Sequence, residues 1–255
     1  MDFFDQLLTY TYLRSSSLSL LLDSVPQASS AITQKSGREM MAEALTGRIR
    51  SDSAMLRQGA KNATEASNMA SIVANSASTI LTNLNQMLTL AQEVKADATK
   101  GAANSVKFTA LAQGITATIA NSKYNNISML SKAGWTGDSR LTISADGKSA
   151  TLKLQVGYDS SKFTLNDMSY LNSLSTVDLS SGTLDLNALI SSLSTNITTA
   201  NIIYQGNDAL SKAYTSESEF LVKQADILTK AAEDAMPSEE DPLLRDLGSI
   251  VSTTS

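Results

Sequence analysis

Apolar positions recur along this chain at alternating steps of three and four. Leu56, Gly59, Ala63, Ala66, Ala70, Val73, Ala77, Ile80, Leu84, Met87, Ala91, Val94 and Ala98 form one unbroken series, the signature of a long helix with a heptad seam. A second series runs through Leu186, Leu189, Leu193, Asn196, Ala200, Ile203, Asn207, Leu210, Tyr214, Glu217, Leu221, Gln224, Leu228, Ala231 and Ala235, with four polar interruptions. Between them Phe108, Leu111, Ile115 and Ile119 share one stripe, which predicts a third helix over 104–122 packed back on the first. At about 1.5 Å per residue the two long helices would run roughly 65 and 75 Å, more than a compact domain of this size accommodates. No proline lies between Pro26 and Pro237 to kink them.

Between the long series the period changes to two. Leu141 and Ile143, then Leu152, Leu154 and Val156, alternate with polar residues around Asp146-Gly147, a hairpin signal. A further strand is expected over Lys162 to Leu165, followed by loops to Gly182. The expected fold class is mainly α with a small β element: an elongated antiparallel helical rod with inserted β-hairpins. Its parts are an apolar helical segment at 1–40, two rod helices at 41–133, the β element at 134–182, a last rod helix at 183–236 and a short acidic tail at 237–255.

Composition narrows the chemistry. The 255 residues include no His and no Cys, which removes the usual general base near neutral pH, the commonest metal ligand and all thiolate or disulfide chemistry. We therefore expect no enzymatic activity and no cofactor. The 12 glycines are scattered, and Gly134 with Gly137 lacks the strand and helix of a phosphate-binding loop. Acidic pairs such as Glu217 and Glu219 read as solvated helix faces. With 20 basic against 25 acidic residues, the net charge of −5 gives no footprint for nucleic acid. The apolar run Leu18–Leu22 is too short and serine-broken for a secretory leader or a membrane span. Trp135, the single tryptophan, is expected to anchor the β element where it joins the helices.

The order of these parts resembles the bacterial flagellins through their helical rod domain. AEALTGRIRS at 42–51 and LRQGAKNATEASNMASIVANSASTILTNLNQML at 56–88 resemble the first rod helix. FTALAQGITATIANSKYNNISML at 108–130 resembles the returning helix and the turn that ends it, with Asn126 where the family usually carries glycine. ATLKLQVGYDSSKFTLNDMSYLNSLSTVDLS at 150–180 is similar to the stretch in which a strand ending Gln-Val-Gly leads into a second strand and a loop. The chain departs from the family after Met236, where 19 residues opening on Pro237 and an acid cluster replace a longer apolar helix.

The resemblance implies a structural subunit, exported without a leader through the flagellar type III apparatus, that assembles with copies of itself or other flagellins into an extracellular filament for motility. A hook-filament junction protein, or an adhesin or binding module that does not polymerise alone, shares the same plan. In this reading Leu56, Val73, Ile80, Leu84, Met87, Val94, Leu189, Leu193, Leu210, Leu221 and Leu228 form the rod seam. Arg48, Arg50, Arg57 and Lys61 would make ion pairs with a neighbouring subunit. Gln86, Leu88 and Thr89 stand where many flagellins carry the arginines and acid gripped by innate immune receptors, so poor stimulation of such receptors is expected.

Overall fold

A computed structural model describes residues 37–156 and 159–235. The expected N-terminal apolar helix and the acidic tail lie outside the described residues. The chain divides into two units, Met1–Met41 and Ala42–Ser255, and the architecture below is that of the second.

Helix α1, Gly37–Ala96, is 60 residues long and contains the whole first heptad series except its last member. Along it exposed hydroxyls such as those of Thr79, Thr82 and Thr89 bond back to the carbonyl four residues earlier. The seam was expected to reach Ala98, but Asp97 adopts an extended conformation and its carboxylate accepts from the Thr99 amide at 3.0 Å and the Thr99 hydroxyl at 2.6 Å. This capping starts a single 3-10 turn, Ala98–Lys100, that reverses the chain without a proline.

Helix α2, Gly101–Asn121, then runs back along α1. Asn104 donates to the Leu90 carbonyl and the Glu93 carboxylate, and Ser122 donates to Ser76 at 2.6 Å. The falling partner numbers make the pair antiparallel. Gly101 permits the close approach of the segment that follows the sheet: a Cβ there would sit 3.1 Å from the Ser180 Cα and 3.2 Å from the Leu179 carbonyl oxygen.

A two-residue hairpin follows, β1 Lys123–Tyr124 with β2 Ile127–Ser128. Its turn residues Asn125 and Asn126 have φ of 46° and 66°, the two left-handed positions of a type I′ turn, which asparagine tolerates. Strands β3 Leu141–Ile143, β4 Ser149–Val156 and β5 Asp159–Asn166 form an antiparallel sheet in that order. At the β3–β4 connection Gly147 takes φ of 65°, and Asp146 accepts from the Ser144 hydroxyl and the Lys148 amide. Ala150, Leu152, Phe163 and Leu165 line the buried face, with Leu152 opposite Phe163 and Ala150 opposite Leu165. Ile143 alternates correctly but lies on the short edge strand and is exposed.

Residues Ser169–Thr176, expected as loop, form a 3-10 helix that buries Leu171 and Leu174. Asp167 ties this segment to the turn after β2, accepting from the Lys132 amide at 3.2 Å and the Ser169 amide at 3.1 Å. Burial pushes its carboxyl up, but bonds from Ser169 and Lys132 and the Lys132 charge outweigh that and hold it below the usual range. Helix α3, Leu186–Asp234, starts on an Asp185 cap that accepts from the amides of Asn187 and Ala188.

Most buried apolar residues belong to one core where α1, α2, the sheet and the start of α3 meet. It contains Val73, Ile80, Leu84, Phe108, Ile115, Trp135, Phe163 and Leu193.

The surface ion pair Asp138–Arg140 supplies an acid-sensitive contact. The guanidinium bonds both carboxylate oxygens, at 2.9 and 2.7 Å, and with the Arg140 amide lowers the Asp138 pKa from 3.8 to about 2. A carboxyl depressed in the folded state contributes stability above its unfolded pKa, lost as pH falls from about 4 towards 2. Arg140→Ala should return the Asp138 titration midpoint towards the ordinary carboxylate range, as read by carboxyl NMR shifts. An unmoved midpoint would refute this cause.

Candidate assembly surface

The α1–α3 pair is the feature closest to the expected function, and its contacts are polar as well as apolar. Thr46, Ser53, Ala60, Ser67 and Ala74 recur every seven residues on α1 and are all buried. On α3, Ser211, Ser218, Ala225 and Ala232 repeat at the same interval, the two serines half-buried and the two alanines buried. The Ser53 hydroxyl donates to the Ala225 carbonyl and lies 2.9 Å from the Thr229 hydroxyl. Ser218 donates to the Ala60 carbonyl and lies 2.9 Å from Thr64 Oγ1. Ser67 donates to the Ser211 carbonyl and lies 2.9 Å from Thr215 Oγ1, and Ser71 lies 2.7 Å from Ser211 Oγ. Partner numbers fall on α3 as they rise on α1, so the pair is antiparallel.

Small side chains let the backbones come close enough for a hydroxyl to reach the carbonyls and hydroxyls of the facing helix. Close approach in turn requires those hydroxyls to be satisfied across the seam. The expected seam named the apolar column and missed this ladder. The signal was present as a seven-residue repeat of serine, threonine and alanine beside the leucines.

Of the expected seam residues, Leu56, Val73, Ile80, Leu84, Met87, Val94, Leu189, Leu193 and Leu221 are buried. Leu228 is half-buried and packs against Leu56 and its neighbours. Leu210 is not in the seam: it is 41% exposed. Along this half of α3 the described contacts come from α1 and the end of the β4–β5 hairpin, and they fall on the Asn207, Tyr214, Leu221 column and the adjoining serine column. The column holding Leu210 and Glu217 is turned aside.

The basic group is also divided. Arg57 pairs with Asp226 of its own chain at 2.8 Å, which replaces the contact expected with a neighbouring subunit. Arg48, Arg50 and Lys61 form no ion pair among the described residues, and Arg50 and Lys61 are exposed. The antiparallel register gives a reason for the Arg57 contact, since Glu219, Asp226 and Glu233 follow at sevens along the facing helix. Both partners are about half-exposed, so Arg57→Ala should cost less than about 1 kcal/mol. A fall in melting temperature above roughly 4 °C would show that the pair carries more than a surface ion pair does.

The face of α3 away from α1 carries an apolar stripe. Ile202, Phe220 and Ile227 are 66%, 55% and 64% exposed, and Gly206, Ala209 and Ala213 lie between them on the same side. Their steps of four, three, four, seven and seven keep one side of the helix, with Ser216 and Lys223 at the skipped positions. A shallow groove beside α2, between Ser105, Val106, Thr109 and Gln113 and the Thr176–Asp178 segment, has a mixed lining of hydroxyl and apolar side chains.

Trp135 is fully buried, and its indole Nε1 donates to the Ser128 carbonyl at 2.8 Å. It thereby ties the turn before the sheet to β2. Gln86 and Thr89 are exposed on α1 and Leu88 is half-buried.

Among the described residues no cluster of acidic side chains has the grouping of a metal site. No described helix is long and apolar enough to cross a membrane. The chain is a mainly α protein with a small antiparallel β element. Compared with models of known families and with curated proteins, it matches none.

Proposed function

We propose that this chain is a flagellin-like structural subunit whose helices form an elongated rod and pack against copies of itself in an extracellular bacterial filament. The observation that carries the reading is the stripe of α3 from Ile202 to Ile227, an apolar surface at helical spacing on a helix whose opposite face is occupied by α1. A repeated contact that does not close on itself builds an open helical polymer, so a modest interface multiplied along a fibre supplies strength. The resemblance of residues 42–51, 56–88, 108–130 and 150–180 to the flagellin rod supports the same reading. Export through the flagellar type III apparatus is part of the proposal, and a chain without cysteine forms no disulfides that would hinder threading.

Electron microscopy of fibres sheared from the source cells, with mass identification of their subunits, tests it. Abundant fibres built of this polypeptide are expected. Trace amounts at fibre bases would instead indicate a junction protein, and absence from fibres would indicate a binding module. The rod is tested separately by small-angle scattering of the monomer, where a near-spherical profile would exclude it.

A further inference from the structure

We propose that the distal arm of the α1–α3 pair, residues 42–63 with 218–235, opens and closes as a unit separate from the rest of the fold. The buried apolar residues fall into two clusters, not one. The larger contains Val73, Ile80, Leu84, Phe108, Trp135 and Phe163 among many others. The smaller consists of Leu56, Ala60, Ala63, Val156, Leu221 and Ala225, and only Leu56, Val156 and Leu221 in it are larger than alanine.

The remaining contacts that close the arm are of a kind water replaces readily. They are the hydroxyl bonds of Ser53, Thr64 and Ser218 and the half-exposed Arg57–Asp226 pair. An arm with few bulky buried contacts and many solvent-replaceable ones has a low local opening free energy, whatever the stability of the main core.

The joint is visible in the sheet. Leu154 packs against both clusters, Val156 belongs to the smaller one, and the Asn62 side-chain Nδ2 donates to the Gln155 carbonyl. Ser161 lies 2.9 Å from the Tyr214 hydroxyl on the other helix. The end of the β4–β5 hairpin thus clasps α1 at Asn62 and α3 at Tyr214, and among the described residues the arm beyond it is held by the small cluster, the hydroxyl bonds and the Arg57–Asp226 pair. Opening exposes Leu56, Leu221 and Ala225 beside Leu45, Met55, Phe220 and Ile227, which already face solvent. The closed arm therefore masks a wider apolar surface that the chain presents only transiently. This inference does not depend on the filament reading.

Hydrogen exchange followed by mass spectrometry on the full chain tests it. Amides of 46–60 and 220–232 should exchange roughly 100-fold faster than those of 80–94 and 108–119. Because the chain has no cysteine, Ser53→Cys with Thr229→Cys places a single thiol pair where two hydroxyls lie 2.9 Å apart. Oxidising it should slow exchange in the arm about tenfold or more while leaving 80–94 unchanged, with the reduced form as control. Equal protection along the whole of α1 in the unsubstituted chain would overturn the proposal, as would a disulfide that slows the arm and the main core alike.

Discussion

Leu84→Asp should lower the melting temperature by about 10 °C or more, the largest effect expected of any single substitution in the helices. Leu84 is fully buried where α1 meets the main core. Aspartate there loses the packing of the leucine and places a carboxylate in the apolar core. An uncompensated buried charge of this kind costs roughly 3–5 kcal/mol, and for a chain of this length each kcal/mol moves the melting temperature by about 2–4 °C. Leu210→Asp provides the matched control. It makes the same chemical change on the same kind of helix, but at an exposed position it should stay within about 0.5 kcal/mol. Thermal unfolding followed by circular dichroism reads both, and equal shifts for the two variants would mean that the seam is not where the structure puts it.

Trp135→Ala is expected to be nearly as damaging, for a different reason. The indole is fully buried in the main core and it donates to the Ser128 carbonyl, so alanine leaves both a large cavity and an unpaired buried acceptor. Aromatic truncations in cores cost about 3–5 kcal/mol. Trp135→Phe separates the two parts, since it keeps most of the volume and loses the bond, at about 1–2 kcal/mol. Urea unfolding gives the comparison. Because this is the only tryptophan in the chain, its fluorescence reports core unfolding in the parent protein, with a red shift on denaturation. If Trp135→Phe is as unstable as Trp135→Ala, the hydrogen bond and not the volume is what holds the turn to β2.

Leu84 and Trp135 both lie in the main core, outside the arm. Both substitutions should unfold the main core, and the arm beyond Asn62 and Tyr214 with it. A substitution confined to the arm, by contrast, should raise local exchange there before it moves the global transition.

Much of the helical architecture was legible before any coordinates. A step of three and four sustained over thirteen positions leaves a helix as the only regular structure that puts them on one side, and α1 contains twelve of them. The Asp146-Gly147 hairpin was equally readable, because a left-handed residue in a short connection between alternating strands restricts the backbone to a few turns. The 3-10 helix at Ser169–Thr176 was not. Its two buried leucines, Leu171 and Leu174, are too few to display a period, and the segment is positioned by the Asp167 bonds to Lys132 and Ser169. The heptad series runs two residues past the end of α1, to Ala98, because alanine carries a strong helix propensity and gives no stop signal. The break is made by the Asp97 side chain capping Thr99.

The candidate surface divides in the same way. Heptad spacing identifies the residues that tend to face a partner, since spacing is a property of one helix. It does not identify which partner is there, because that depends on how many helices and strands surround a given turn. Leu84 and Leu210 occupy equivalent places in their series, yet one is fully buried in the main core while the other is exposed. For the same reason the pairing of Arg57 with Asp226 rests on an antiparallel register that no single-helix pattern contains. The sequence by itself determined the length, phase and order of the helices and the hairpin between them, because those follow from local periodicity and turn chemistry. Which faces are covered, which hydroxyls meet across the seam and where the core separates into two clusters were decided only in the tertiary structure, by contacts between residues distant in the chain, 144 positions for Ser67 with Ser211 and 176 for Ser53 with Thr229.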